Sequence, residues 1–182
     1  MNPGDPGKRE LFTGKFLGLV REGHWEYCYR VQATGAAIIL AVTPESKVLL
    51  VEQHRIPCHA RTIELPAGII GDEPKSGGES NADAARRELL EETGYEAGEI
   101  RALMTGPASS GLTSELVTLF LARNLKKVQD GGGVEHEKII VHEVPLARVD
   151  EWLGQKSGEG FLIDPKIYAA LYFLRQRKEP AH

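Results

Sequence analysis

Cysteine, methionine and aromatic residues are all scarce in this chain of 182 residues, which holds two Cys, two Met and only 7% Phe, Trp and Tyr. Cys28 and Cys58 are too few for a disulfide framework, and no Cys-x-x-Cys or Cys/His metal pattern is present. Reduced thiols, and so a cytoplasmic setting, are the expectation. No apolar run approaches the roughly 20 residues that span a bilayer. The opening Asn2-Pro3-Gly4-Asp5-Pro6-Gly7 lacks the apolar stretch of a secretory leader. Membrane attachment is therefore not expected. Basic clusters interleaved with aromatics are also missing. With a formal charge of −4 and a pI near 5.9, a nucleic-acid surface is not expected either. There is no internal repeat and no interdomain linker. The length suits one domain with a real core.

What is present alternates between short β-type runs and two or three helices. Residues 1–12 read as a flexible N-terminus and 13–178 as one domain. Thr13–Val20 and Trp25–Val31 form a first hairpin around a turn at Arg21-Glu22-Gly23. Thr34–Val42 and Lys47–Gln53 follow as two more strands. Arg61–Leu65 is short and runs into a sharp bend at Pro66-Ala67-Gly68. Later strands are expected near Ile100–Thr105, Glu115–Ala122 and Lys138–Val144. Pro145–Leu153 reads as a helix with proline at its start, and Asp164-Pro165 opens a last helix as N-cap and first residue. Ile167, Leu171 and Leu174 share one side of it. The pattern is α+β, a mixed sheet closed by helices.

The densest chemistry lies in Arg87-Glu88-Leu89-Leu90-Glu91-Glu92-Thr93-Gly94-Tyr95. At about 100° per residue, Glu88, Glu91 and Glu92 fall within an arc of about 100° on one helix face. Glu88 and Glu92 are like charges at i,i+4, which costs an isolated helix a few tenths of a kcal/mol. A divalent cation reverses that sign, because three converging carboxylates are hard oxygen donors suited to Mg²⁺ or Mn²⁺. Most acidic runs are merely solvated helix faces, and composition alone favours that reading. The frame around this one favours a site. Ser80 is a plausible N-cap with Asp83 three residues on. Ala82, Ala85 and Leu89 give a narrow apolar stripe, and Gly94 sits where a glycine ends a helix. A helix from Asn81 to Thr93 is expected, with its acidic face turned to the surface.

Gly68…Glu79…Arg87-Glu88-Leu89-x-Glu91-Glu92-x-Gly94-Tyr95 resembles the Nudix box, G-x5-E-x7-R-E-U-x-E-E-x-G-U with U apolar. Every defined position from Glu79 onward matches. Ahead of it, ten residues separate Gly68 from Glu79 where the pattern has five. The surplus falls in Gly71–Gly78, which is loop chemistry throughout, and lengthening a surface loop costs little. The resemblance implies an α/β/α sandwich with a mixed sheet and an N-terminal β-strand extension. It implies a metal site of Glu88 and Glu92 with the Ala67 carbonyl, assisted by Glu91, while Glu79 and Arg87 form an ion pair that orients the ligands. Hydrolysis of a pyrophosphate bond is the chemistry that follows.

Further stretches are similar to the ADP-ribose pyrophosphatase branch. Glu135-His136-Glu137, after Gly131-Gly132-Gly133, matches a loop that there carries a general base and a supplementary metal ligand, so Glu135 takes the first role and Glu137 the second. The glycines would let that loop swing. His136 and His142 read as plain loop and strand residues. Gln53-His54-Arg55 and Glu64-Leu65-Pro66-Ala67-Gly68 also match, with Arg55 either a bidentate phosphate contact or a salt-bridge partner. Gly106–Glu115 resembles the segment that ends in a substrate-binding glutamate, here Glu115. The branch's marker proline lies sixteen residues beyond the box glycine, where this chain has Ser110. Trp25-Glu26 resembles a pair whose indole stacks on adenine, although an aromatic in a first hairpin is often core or interface. Hydrolysis of ADP-ribose or a similar nucleoside diphosphate sugar to AMP and a sugar phosphate is the leading expectation. FAD, NADH and GDP-mannose compete, and a non-catalytic nucleotide sensor of the same fold is the alternative of a different class. A homodimer joined through hairpin 13–32 is expected by analogy.

Overall fold

The computed structural model describes residues 7–71, 80–133 and 138–176. Three strands open the chain, β1 (Lys8–Thr13), β2 (Leu17–Glu22) and β3 (Trp25–Arg30), paired antiparallel in that order. The N-terminus expected to be flexible through residue 12 is thus a strand from Lys8, in register with β2 from Lys8↔Glu22 to Thr13↔Gly18. Its charged residues hid it, yet charge is what an exposed edge strand carries. The Glu10 carboxylate is also hydrogen-bonded across strands, since the Tyr29 hydroxyl donates to its Oε2 at 2.7 Å.

Two four-stranded sheets follow. One has the order β7 (Ala67–Ile70), β4 (Gly35–Ala41), β9 (Leu116–Lys127), β8 (Tyr95–Pro107). In it β4 runs parallel to β9, from Ala36↔Val117 to Ala41↔Ala122. The other has the order β10 (Ile140–Pro145), β5 (Lys47–Arg55), β6 (Ala60–Glu64), β11 (Leu162–Ile163). Two short strands were not expected. β7 occupies the bend and pairs with β4, and β11 runs parallel to β6. Both are too short for a period-2 pattern to register. The helix expected from Pro145 starts later, as α2 (Val149–Gly158) after a 3₁₀ turn at Leu146–Arg148. Pro145 instead ends β10 opposite Lys47, at a strand terminus where its missing N–H is harmless.

β4 shows why the layers form. Ala37, Ile39 and Ala41 face one way and join Ala84, Ala85 and Leu89 of α1 (Asn81–Thr93). Ile38 and Leu40 face the other way and join Val149 and Leu153 of α2 and Ile167, Leu171 and Leu174 of α3 (Lys166–Gln176). A strand apolar on both faces needs cover on both, and the result is the α/β/α sandwich. The expected Asp164 cap holds, with its Oδ1 accepting the Lys166 N–H at 2.9 Å.

Leu89 is fully buried in the α1 layer. Leu89→Ala is expected to lower stability by about 2–5 kcal/mol, read from urea midpoints; a loss near zero would show that this face does not anchor α1.

Candidate active site

α1 is specified at both ends. Ser80 Oγ accepts the Asp83 N–H at 3.2 Å, and Gly94, at φ 76°, closes the helix with its N–H on the Leu90 carbonyl at 2.8 Å. With Ala84, Ala85 and Leu89 turned into the core, Glu88, Glu91 and Glu92 line a cavity of about 530 Å³, along with Arg87. Ala67 and Gly68 of β7, Arg55 of β5 and Glu64 of β6 form other parts of its wall.

The three carboxylates are not equivalent. Glu92 is buried, at 5% exposure, and its Oε2 accepts the Ala67 N–H at 3.0 Å. The acidic face is therefore turned inward at Glu92, because β7 closes over the turn that sequence reading left at the surface. Glu88 and Glu91 share the Arg87 guanidinium, whose Nη1 donates to Glu88 Oε1 at 2.8 Å and to Glu91 Oε2 at 3.3 Å. Arg87 thereby offsets the like-charge repulsion of this face. Gly68 explains itself sterically, since a Cβ there would lie 1.8 Å from Glu88 Cδ. In the observed conformation the Glu88 side chain fills the space that a Cβ at Gly68 would need.

The cations of the cavity come in pairs with acids. Arg55 forks onto Glu64, with Nε to Oε1 at 2.8 Å and Nη2 to Oε2 at 2.6 Å. Burial pushes the Glu64 carboxyl up, but the Arg55 fork, the Thr62 hydroxyl and the charge of Lys166 outweigh it, and it sits below the usual carboxylate range. Arg30 of β3 is ion-paired with Glu115. Lys166 Nζ lies 2.7 Å from Asp164 Oδ2, and both residues line the cavity. Arg30, Asp164 and Lys166 were missed from sequence. Asp164 was legible only as a helix cap and Arg30 only as the end of a strand.

Trp25 is 52% exposed, so it is not a core residue. It lines a separate cavity of about 400 Å³ with Tyr27 and the loop that carries Ser110. A third cavity of about 270 Å³ shares Arg30 and Glu115 with the first, and Tyr27 and Ser114 with the second. The sheet β1–β3 thus lines a track from the carboxylates toward Trp25. It is tied to the Ser110 loop by the Cys28 N–H on the Leu112 carbonyl at 2.9 Å and the Ser114 N–H on the Cys28 carbonyl at 3.0 Å.

Glu79, Glu135, His136 and Glu137 lie outside the described residues. Gly131–Gly133, expected to give their loop freedom, are docked on the end of α1 by hydrogen bonds to the Glu91 and Glu92 carbonyls. His142 is a strand residue paired with the buried Glu52 at 2.8 Å, away from the cavity. Among the described residues no three His, Cys, Asp or Glu converge into a ready-made cation cage. The donor chemistry still fits a hard divalent cation, because Glu88, Glu91 and Glu92 offer only carboxylate oxygens to one cavity. Among the described residues no helix is long and apolar enough to cross a membrane.

Comparison with known proteins places this geometry. The family model for the NUDIX domain matches residues 32–162. The chain is 33% identical over 148 residues to the ADP-ribose pyrophosphatase of Bacillus subtilis (strain 168), spanning 76% of each protein. It is 34% identical over 153 residues to the GDP-mannose pyrophosphatase of Escherichia coli (strain K12), spanning 79% of this chain and 74% of that protein. The methanol dehydrogenase activator of Bacillus methanolicus is 29% identical over 155 residues, spanning 84% and 78%. A crystal structure of an ADP compounds hydrolase superposes with a TM-score of 0.69 at 19% identity, covering 93% of this chain and 90% of the other. That likeness shares the fold. The chain belongs to the NUDIX family, and the matched span starts just after the β1–β3 sheet.

The Arg55–Glu64 pair gives a pH test. Because the folded Glu64 titrates below its ordinary value near 4.5, the unfolded chain binds more protons between the two values. Stability from this group is present above that window and is lost as pH falls through it. Glu64→Gln is expected to flatten the acid limb of the stability curve, followed by urea midpoints from about pH 6 to about pH 3. A limb of unchanged slope would remove Glu64 from the linkage.

Proposed function

We propose that the protein is a metal-dependent pyrophosphohydrolase acting on ADP-ribose or a similar nucleoside diphosphate sugar and releasing AMP and a sugar phosphate. The observation that carries this reading is that one cavity of about 530 Å³ is lined both by the α1 carboxylates and by the paired cations Arg30 and Arg55. A pyrophosphate needs both signs around it: cations for its oxygens and acids to hold divalent metal. A Mg²⁺ or Mn²⁺ ion held by Glu88 and Glu92, with the Ala67 carbonyl and Glu137 as further donors, would supply charge neutralisation on the pyrophosphate. The chain supplies the rest. Arg55, forked onto Glu64, is the guanidinium that would exchange or share its partner with a phosphate oxygen. Glu135 takes the proton of the attacking water as general base, with Glu91 assisting. Glu79 and Arg87 orient the ligating acids.

The track along β3 sets the orientation. The base lies toward Trp25, with Glu115 and Arg30 at the junction, and the sugar phosphate lies toward Asp164 and Lys166. The names of the relatives from Bacillus subtilis and Escherichia coli support a nucleotide-sugar substrate. We also propose a homodimer through the β1–β3 sheet, whose Phe12, Phe16, Leu17 and Trp25 are exposed. The proposed setting is the cytoplasm, where its two free thiols are at home.

With Mg²⁺ or Mn²⁺, turnover of ADP-ribose is expected to exceed that of GDP-mannose, FAD and NADH. Glu92→Gln and Glu135→Gln are each expected to lower kcat by about 10²-fold or more. Glu92→Gln should still fold, because an amide oxygen can accept the Ala67 N–H. Near wild-type kcat in both would refute the catalytic assignment. A GDP-mannose preference would correct the substrate, and tight nucleotide binding without turnover would establish the sensor reading.

Trp25→Ala is expected to raise KM for ADP-ribose about 5- to 100-fold, the range of one lost base–aromatic stack. An unchanged KM with loss of the dimer in light scattering would assign Trp25 to the subunit interface.

A further inference from the structure

The last turn of α1 has a physical problem. It ends Glu91-Glu92-Thr93 with no basic side chain, so two carboxylates sit where the helix macrodipole is already negative. A turn of that composition frays unless its terminal carbonyls find donors. Here they do, and the donors come from a distant part of the chain. Beyond the Gly94 cap, the Glu92 carbonyl accepts the Gly132 N–H at 2.8 Å and the Glu91 carbonyl accepts the Gly133 N–H at 3.2 Å. The Gln129 side-chain amide reaches the Leu90 carbonyl at 3.4 Å. Val128 N–H reaches the Gly94 carbonyl at 2.9 Å.

The approach is as close as backbone allows. A Cβ on Gly131 would lie 2.4 Å from the Glu92 carbonyl oxygen and 2.5 Å from the Thr93 carbonyl carbon. A Cβ on Gly94 would lie 2.1 Å from the Gln129 carbonyl oxygen. Gly132 and Gly133 adopt φ values of 133° and 79°, in the region that disfavours side chains. The segment is anchored in turn to the approach to β10, by the Ile139 N–H on the Gly132 carbonyl at 3.3 Å.

We propose that Gly131–Gly133 is a positioning element, a backbone clasp that holds the Glu91–Glu92 turn in the geometry that binds the divalent cation. The proposal rests on the metal-site reading given above. A freely fraying last turn would scatter Glu91 and Glu92 over many orientations, and cation binding would then have to supply that ordering. The clasp orders the turn beforehand, by hydrogen bonds that leave the carboxylate oxygens untouched. The coupling is reciprocal by linkage: a clasp that favours the cation must itself be favoured by the cation.

Binding of Mn²⁺ to substrate-free protein, followed by the paramagnetic resonance of free Mn²⁺, tests this without reference to turnover. Gly131→Ala is expected to raise the Mn²⁺ Kd at least about 10-fold and to raise the Mg²⁺ concentration for half-maximal rate in parallel. KM for ADP-ribose at saturating metal should stay within about 2-fold. In the wild-type protein, amide exchange at Gly132 and Gly133 should slow at least about 10-fold in saturating diamagnetic Mg²⁺ relative to metal-free protein. That measurement stands even if Gly131→Ala does not fold. A variant with a lowered Tm and an unchanged Mn²⁺ Kd would show a purely structural clasp and overturn the proposal, as would exchange indifferent to Mg²⁺. If Glu92→Gln leaves the Mn²⁺ Kd unchanged, the metal-site reading itself fails, and that result is distinguishable from failure of the clasp.

Discussion

The hydrogen bond from the Ala67 N–H to the buried Glu92 carboxylate joins the two parts on which the site depends. Glu92 belongs to α1, and Ala67 begins the strand that seals the edge of the β7-β4-β9-β8 sheet. A buried carboxylate is costly unless it is hydrogen-bonded or paired, so this contact ties the helix register to the strand register. Gly68, next in sequence, enforces the same alignment sterically beside Glu88. One turn of helix and two residues of strand therefore determine each other. A slip of one residue in either would place a side chain where Glu88 now passes.

Around that junction the charges are arranged as pairs, and the pairing has a functional logic. Arg87 bridges Glu88 and Glu91, Arg55 is forked by Glu64, and Arg30 is held by Glu115. An unliganded cavity crowded with unpaired acids would repel itself, and one crowded with free arginines would trap stray anions. Paired, each group is fixed in place and already desolvated in part. Under the proposed function it would have only to exchange or share a partner when a pyrophosphate and its cation enter. Glu64 shows the balance: burial disfavours its charge, and three neighbouring groups restore it.

Sequence reading succeeded where the signal was local. Ser80, Leu89 and Gly94 specify α1 through capping and periodicity within thirteen residues, and the spacing of Glu88, Glu91 and Glu92 follows from helix geometry alone. The N-cap at Asp164 was legible for the same reason. Failures were non-local or very short. β7 and β11 hold four and two residues, below the length at which alternation can be recognised. β1 reads in sequence as part of a flexible terminus because its partners lie across strands, as Tyr29 does for Glu10. Arg30 joins the cavity through a pairing with Glu115 across 85 positions, which no window along the chain can display. The glycine run shows a contact that sequence reading did not foresee: the lack of side chains lets Gly131–Gly133 press against the α1 terminus.

The two departures from the branch pattern bear on different ends of the cavity system. Ser110, standing where the marker proline would be, lines the Trp25 cavity and not the carboxylate cavity. Its loop is held from the other side by hydrogen bonds to the Cys28 backbone. The lengthened stretch before Glu79 leaves the described fold at Gly71, after β7 has completed its pairing with β4 at Gly35↔Ile70. In sequence, the insertion falls after the β7–β4 register is set and before the Ser80 cap of α1. The carboxylate cavity and the Trp25 cavity, to which the proposal assigns the chemistry and the base, share no lining residue, and the cavity between them reaches the first at Arg30 and Glu115.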